Sequence, residues 1–329
     1  MKPLAKFLAA LGVATTLGLM SATAMAQGGP PPQVLPEGIR GGSEVTPEKG
    51  VEIRKYVFKE TGEELPYSVF VSSKVKKDQK APLIIALRGF TGTTLTFVRG
   101  TAVDLAEEGG YILVGALGYN NRAGFGMQAG PRPGAAPGAA PGGPPGAGPG
   151  AGPGGAPRPA AGAPGAAAGP PGGARPQPPM VGGTKETDPV KVTQYSEQDV
   201  MNVLEMVRKE FNIDDRRIYL MGHSQGGGGA AHLAEKYADI WAGVALLAPA
   251  LFNVQLTAQS KITKIPLLLA VGDKDSLITS SRAFSEQLKG LKVEHSYIEK
   301  AGLDHGTIIM GGMPDVFAFF PKHVKPARR

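Results

Sequence analysis

A serine flanked by glycines stands at the centre of Met221-Gly222-His223-Ser224-Gln225-Gly226-Gly227, between the apolar run Arg217-Ile218-Tyr219-Leu220 and an alanine-rich stretch. Gly-x-Ser-x-Gly between a strand and a helix is the setting of a nucleophile elbow. The turn is so sharp that side chains two residues either side of the serine would collide with the strand and the helix, and the glycines avoid this. It exposes the hydroxyl and aims the first helical amides at the space above it, where an oxyanion would form. That spacing points to nucleophilic acyl transfer.

An activated serine needs a base, and the base needs a carboxylate to orient it. At such an elbow the partners follow the serine in the order acid, then histidine. The sequence holds five histidines. His223 lies in the elbow and His232 on the helix after it, both too early. His323 lies in a basic tail, and His295 inside a strand beside Val293 and Ile298, away from the ligand end. His305, in the loop Gly302-Leu303-Asp304-His305-Gly306 after that strand, is the expected base. The candidate acids are Asp239, Asp273, Asp275 and Asp304. Asp239 ends a helix as a solvated cap, and Asp304 adjoins the histidine, where side chains seldom aim at each other. Asp275, further out than Asp273 after the strand Leu267 to Val271, is the expected acid; Asp273 is left to bond loop amides. The oxyanion hole is expected from the amide of Gln225 and that of Phe90, in the loop Leu87-Arg88-Gly89-Phe90-Thr91-Gly92-Thr93. The plainer reading of Gly89 and Gly92 is that they only turn the chain.

These groups need a scaffold with one shared ligand end. Residues 51 to 58 and 65 to 72 alternate around Thr61-Gly62-Glu63-Glu64 and predict an antiparallel hairpin. Apolar runs predict strands at 82 to 87, 111 to 116, 217 to 221, 244 to 247, 266 to 271 and 293 to 298. Helices are predicted near 95 to 108, over 197 to 211, from the elbow to about 237, near 280 to 289 and from about 307. Continuous apolar strands alternating with helices imply an α/β fold, a mostly parallel sheet covered on both faces. Ligands of such sheets sit beyond the carboxyl ends of the strands, where the elbow, the Gly272 loop and the Ala301 loop all emerge.

The flanking segments read differently. Residues 1–26 have the form of a secretion signal: Lys2 and Lys6, the apolar stretch Phe7 to Met20, and Ala24-Met25-Ala26 before Gln27. The leader has no Arg-Arg pair, and its apolar core is shorter than a membrane-spanning helix, so no membrane anchor is expected. The expected location is periplasmic or extracellular. With no cysteine in the chain, disulfides and a lipidated cysteine are excluded. Residues 27–50 read as a linker, 51–322 as the folded domain and 323–329 as a basic tail. Residues 129–179 are almost entirely glycine, proline and alanine and read as a disordered insert, a tolerated expansion in a surface loop or else a mobile lid or tether. The segment Tyr119 to Gly126 before it is expected at the rim of the site.

Composition narrows the partners. The formal charge is +7, and its basic residues are scattered rather than clustered with aromatics, so no nucleic-acid partner is expected. Gly226-x-Gly228-x-x-Ala231 loosely fits a dinucleotide fingerprint, but the next strand ends Leu247-Ala248-Pro249-Ala250 with no acid for a ribose. No histidine and carboxylate cluster has metal-ligand spacing, and Asp273-x-Asp275 alone is not a calcium site. No cofactor and no metal is therefore expected.

The run Asn212-Ile213-Asp214-Asp215-Arg216-Arg217-Ile218-Tyr219-Leu220 leading into the elbow resembles the corresponding region of α/β-hydrolases. It is most similar to the esterase branch of polyhydroxybutyrate-depolymerase-like, feruloyl-esterase-like and dienelactone-hydrolase-like proteins. Leu65-Pro66-Tyr67-Ser68-Val69-Phe70-Val71 and the strand Pro82 to Gly89 look like that branch too, so the resemblance covers about 51 to 320 without the insert. It implies an α/β-hydrolase fold and a serine esterase acting on a small or polymeric ester. In Gly272-Asp273-Lys274-Asp275 it gives the acid role to the second aspartate. The departure is Arg88, where these proteins usually carry histidine before the oxyanion-loop glycine. A serine peptidase of the same fold and a non-catalytic binding or envelope protein are the alternatives. Nothing in the residues speaks to oligomeric state.

Overall fold

The computed structural model describes residues 46–127, 184–251, 254 and 256–327. The leader at 1–26, most of the linker, the insert at 129–179 and the last two residues of the tail lie outside the described residues.

The chain enters through an antiparallel hairpin, Val51–Phe58 (β1) and Glu63–Val71 (β2). The second strand starts two residues before the sequence expectation because Phe58 pairs with Glu63, carrying the ladder up to the turn at Gly62, whose φ is 68°. Ala81–Leu87 (β3) and Ile112–Ala116 (β4) are buried along their whole length and pair in parallel. Parallel strands covered on both faces cannot alternate apolar with polar residues, which is why these read as unbroken apolar runs. Ile213–His223 (β5), Gly243–Leu247 (β6), Leu267–Gly272 (β7) and His295–Lys300 (β8) complete one eight-stranded sheet in the order β1-β2-β4-β3-β5-β6-β7-β8. Only β2 runs against the rest; β1, antiparallel to β2, points the same way as the other strands.

Helices cover both faces. Pro189–Glu210 (α2), Gln225–Lys236 (α3) and Ile278–Gly290 (α4) close one core, which includes Leu83, Ile85, Leu220, Trp241 and Leu269. Gly100–Gly109 (α1) and Met313–Phe319 (α6), the latter preceded by the single turn Ile308–Gly311 (α5), close the other around Ile84, Ala86, Met221 and Leu247.

Two helices begin away from the residues that periodicity suggested. α1 starts at Gly100, not near 95: Gly100 holds φ 49°, and its N–H is taken by the Glu48 carboxylate at 2.8 and 2.9 Å. α2 starts eight residues before 197, where Asp188 accepts from the N–H groups of Val190 (2.8 Å) and Lys191 (3.1 Å) and Pro189 fills the first helical position. An aspartate cap followed by proline is a strong start signal that carries no hydrophobic period. Among the described residues no helix is long and apolar enough to cross a membrane.

Candidate active site

The β5–α3 turn puts Ser224 at φ 55° and ψ −118°, a backbone that L side chains rarely adopt. The strain is held by neighbours on both sides. The Ser224 N–H donates to the Leu247 carbonyl at 3.0 Å, and its carbonyl accepts from Ala250 (2.8 Å) and Gly228 (3.1 Å). A Cβ at Gly222 would fall on the Gly226 carbonyl, and one at Gly226 on the carbonyls of Leu87 and Arg88. The two glycines of Gly-x-Ser-x-Gly therefore answer to close backbone approach.

The three residues selected from the sequence come together at the carboxyl ends of β5, β7 and β8. His305 Nδ1 lies 2.8 Å from Asp275 Oδ2, and His305 Nε2 lies 2.9 Å from Ser224 Oγ. An ionised carboxylate only accepts, so the ring carries its proton on Nδ1 and offers Nε2 to the hydroxyl. The Asp275 side chain is fully buried and the His305 side chain 42% exposed. Asp275 also accepts from the Leu277 N–H at 2.8 Å, so its rotamer is fixed.

The other acids have separate work. Asp273 accepts from the Gly302 N–H at 2.8 Å, tying the β7 loop to the loop that carries His305. Asp304 turns away from the ring and caps the next turn, accepting from Gly306 (3.1 Å) and Thr307 (2.8 Å). Asp239 lies beyond the end of α3, its carbonyl accepting from Lys325 Nζ at 2.8 Å. Of the remaining histidines, His295 starts β8 at the opposite end of the sheet and meets Ser285 and Val293. His323 packs on Phe319, with ring centroids 4.2 Å apart. His232 donates to Glu197 at 2.8 Å.

Gln225 directly follows the hydroxyl-bearing residue, and Phe90 lies in the loop after β3. The loop after β3 passes so close that a Cβ at Gly89 would lie 3.5 Å from Ser224 Cβ. Among the described residues neither the Phe90 nor the Gln225 amide has a protein acceptor.

Two site residues escaped the sequence reading. His223, set aside as too early, donates from Nε2 to the His305 carbonyl at 2.7 Å and lies against that ring with centroids 4.5 Å apart. Burial, helped by the neighbouring His305, pushes its pKa down to about 4, so it is neutral at physiological pH. Arg88 is buried beneath the oxyanion loop with its guanidinium charged: burial pushes it down to about 9 while buried Asp199 pulls it up. No local pattern marks either role, because their partners lie 82 and up to 137 residues away. The segment Tyr119 to Gly126, expected at the rim, is in large part buried, with Arg122, Gly124 and Gly126 half-buried. Tyr119, Asn120, Asn121, Ala123 and Phe125 are buried, and the carbonyls of Asn120 and Ala123 face Arg88 at 2.5 and 3.1 Å.

A family model described as serine aminopeptidase, S33, matches residues 187–257, which take in α2, the elbow and β6. No curated protein sequence matches the chain. Among solved structures it is similar to an S-formylglutathione hydrolase from Agrobacterium tumefaciens: 14% identity, TM-score 0.55, covering 84% of this chain and 95% of that one. It is similar also to a CE1 ferulic acid esterase from Anaeromyces mucronatus, at 16% identity and TM-score 0.53, covering 88% of this chain and 96% of that one. Against a thermostable esterase the identity is 15% and the TM-score 0.50, with 84% of this chain spanning 64% of that chain's length. Identities this low speak to the fold. The chain has the α/β-hydrolase fold.

Proposed function

We propose that this protein is an exported serine hydrolase that cleaves carboxylic esters through Ser224, His305 and Asp275. The observation that carries the reading is the unbroken line of hydrogen bonds from a buried carboxylate through a half-exposed imidazole to a hydroxyl on a strained turn, at 2.8 and 2.9 Å. In the proposed reaction Ser224 Oγ attacks the ester carbonyl as its proton passes to His305 Nε2, and Asp275 holds the imidazolium. The carbonyl oxygen becomes an oxyanion before the amides of Phe90 and Gln225, each worth about 3 kcal/mol to the transition state. The intermediate collapses, His305 returns the proton to the departing alcohol, and an acyl group stays on Ser224. Water, deprotonated by His305, then releases the acid. Substrate is small or polymeric, and export follows from the leader at 1–26.

The test is hydrolysis of p-nitrophenyl esters from acetate to decanoate by purified protein beside Ser224→Ala. Turnover that disappears in Ser224→Ala is expected, with the chain-length optimum sizing the acyl pocket; equal rates in both proteins would remove the reading. The match of residues 187–257 to a serine aminopeptidase model favours a second reading, a peptidase on the same triad. Peptide anilides in the same assay separate the two.

A further inference from the structure

Arg88 sits where this fold has a loop to shape rather than a charge to display. Its side chain is 1% exposed, and all of its polar contacts are oxygens. Nε donates to the Leu117 carbonyl at 2.7 Å, and Nη2 to the carbonyls of Asn120 (2.5 Å) and Ala123 (3.1 Å). Nη1 donates to the Gly89 carbonyl and to Gln225 Oε1, both at 3.0 Å. The Phe125 ring covers the guanidinium at 4.9 Å. Among the described residues no carboxylate bonds it. A buried charge without a direct counter-ion is costly, and filling space under a loop calls only for an apolar side chain.

The bond to Gly89 shows what the charge does. The Gly89 carbonyl and the Phe90 N–H belong to one planar peptide group, so fixing the carbonyl fixes the amide in the opposite direction. Arg88 Nη1 and the Gly92 N–H, the latter at 3.0 Å, hold that carbonyl from the protein side. The Phe90 N–H consequently faces away from the guanidinium, and Gly89 itself approaches His223 and Ser224, where a Cβ would lie 2.9 Å from His223 Nδ1 and 3.5 Å from Ser224 Cβ. The same Nη1 tethers the side chain of Gln225, whose backbone carries the other donor, and Gln225 Nε2 is anchored on the Arg122 carbonyl at 3.0 Å.

We infer that Arg88 is the positioning residue of the oxyanion hole. One buried guanidinium sets the peptide plane of Phe90 and tethers the residue that supplies the second amide. Lying behind the Gly89 carbonyl in a dry setting, its charge also adds positive potential where the oxyanion develops. The inference rests on the serine hydrolase reading above. A lysine in its place keeps the charge but not the planar fork that reaches five acceptors.

The experiment compares wild type, Arg88→Lys and Arg88→Ala on the best p-nitrophenyl ester, with Ser224→Ala as the control for the reading itself. For Arg88→Lys, kcat is expected to fall about 100-fold with KM within about twofold, since the lost contact acts only on the transition state. Affinity for an aryl trifluoromethyl ketone, whose serine adduct places an oxyanion in the hole, should fall by a similar factor. Millimolar guanidinium should restore part of the rate to Arg88→Ala. If the Arg88 variants do not fold, Gln225→Met removes the side-chain bonds to Arg88 and Arg122 and leaves the amide; a kcat loss of about tenfold at constant KM is then expected. A folded Arg88→Lys with wild-type kcat and ketone affinity, or a Gln225→Met with wild-type kcat, overturns the inference alone. Wild-type protein without Ser224-dependent turnover overturns the reading and the inference with it.

Discussion

Ser224, at φ 55°, is held in its strained geometry by bonds to Leu247, Ala250 and Gly228, and His305 by bonds from its ring to Asp275 and to its carbonyl from His223. The two neighbouring aspartates of the β7 loop test how specific the arrangement is. Asp275→Asn is expected to lower kcat by about 10³- to 10⁴-fold, because the amide stabilises the wrong imidazole tautomer. Asp273→Asn should leave kcat within about threefold, at a stability cost of about 1 kcal/mol for the weakened bond from Gly302. Steady-state kinetics on both variants checks this, and equal losses would dissolve the distinction. At this scale much was legible. With five histidines in the chain, elimination by chain order led to His305, which the fold brings to Ser224. Arg88 and His223 were not legible, because each works through backbone carbonyls, and a carbonyl has no letter in the sequence. Only the register of the folded chain tells which carbonyls a side chain meets.

At the scale of elements, the elbow depends on how closely α3 is drawn against β3. A Cβ on Gly226 would meet the carbonyls of Leu87, at the end of a central strand, and of Arg88 just after it, backbone atoms that cannot give way. Gly226→Ala is therefore expected to cost about 3 kcal/mol in unfolding free energy, the upper range for overpacking, and to displace the Gln225 amide. Urea unfolding with ester kinetics measures both, and an unchanged midpoint would show that the helix can slide away. The strands were readable because burial on both faces writes an unbroken apolar run, as in Ala81–Leu87 and Gly243–Leu247. Helix starts were not, because caps govern them rather than periodicity. Asp188-Pro189 starts α2 eight residues before the apolar pattern becomes plain, and Gly100 stops α1 from reaching back to 95. The glycines of Tyr119 to Gly126 suggest an open loop, yet most of the segment is buried, with Arg88 donating to the carbonyls of Asn120 and Ala123.

Across the whole molecule, three buried ionisable groups outside the proposed triad act on stability in different pH ranges. Burial pushes Asp199 up to about 6, against hydrogen bonds from the Tyr56 hydroxyl and the Gly118 N–H and the field of Arg88. Its folded pKa lies above the unfolded value, so the cost of holding it ionised is present at neutral pH and is relieved as pH falls through 6. His223, pushed down to about 4, behaves oppositely: it costs nothing above its ordinary 6.5, and its cost grows as pH falls from there to 4. At pH 4.5 each effect amounts to about 2 kcal/mol relative to neutral pH, with opposite sign. Glu197 is raised by burial, but hydrogen bonds from His232, Lys236 and Tyr237 outweigh this and hold it at about 2, so its stabilisation is lost only as pH falls from 4.5 towards 2. Unfolding free energy is therefore expected to change little from these groups between pH 6.5 and 4.5 and to drop below it. The single variants should expose the cancellation. Relative to wild type, His223→Gln should gain about 2 kcal/mol on going from pH 7.5 to 4.5, and Asp199→Asn should lose about the same. Urea titrations of the three proteins at both pH values measure these differences. A common pH slope for all three would mean that neither group changes its proton affinity on folding, and that the flat acid limb has its origin among the surface carboxylates.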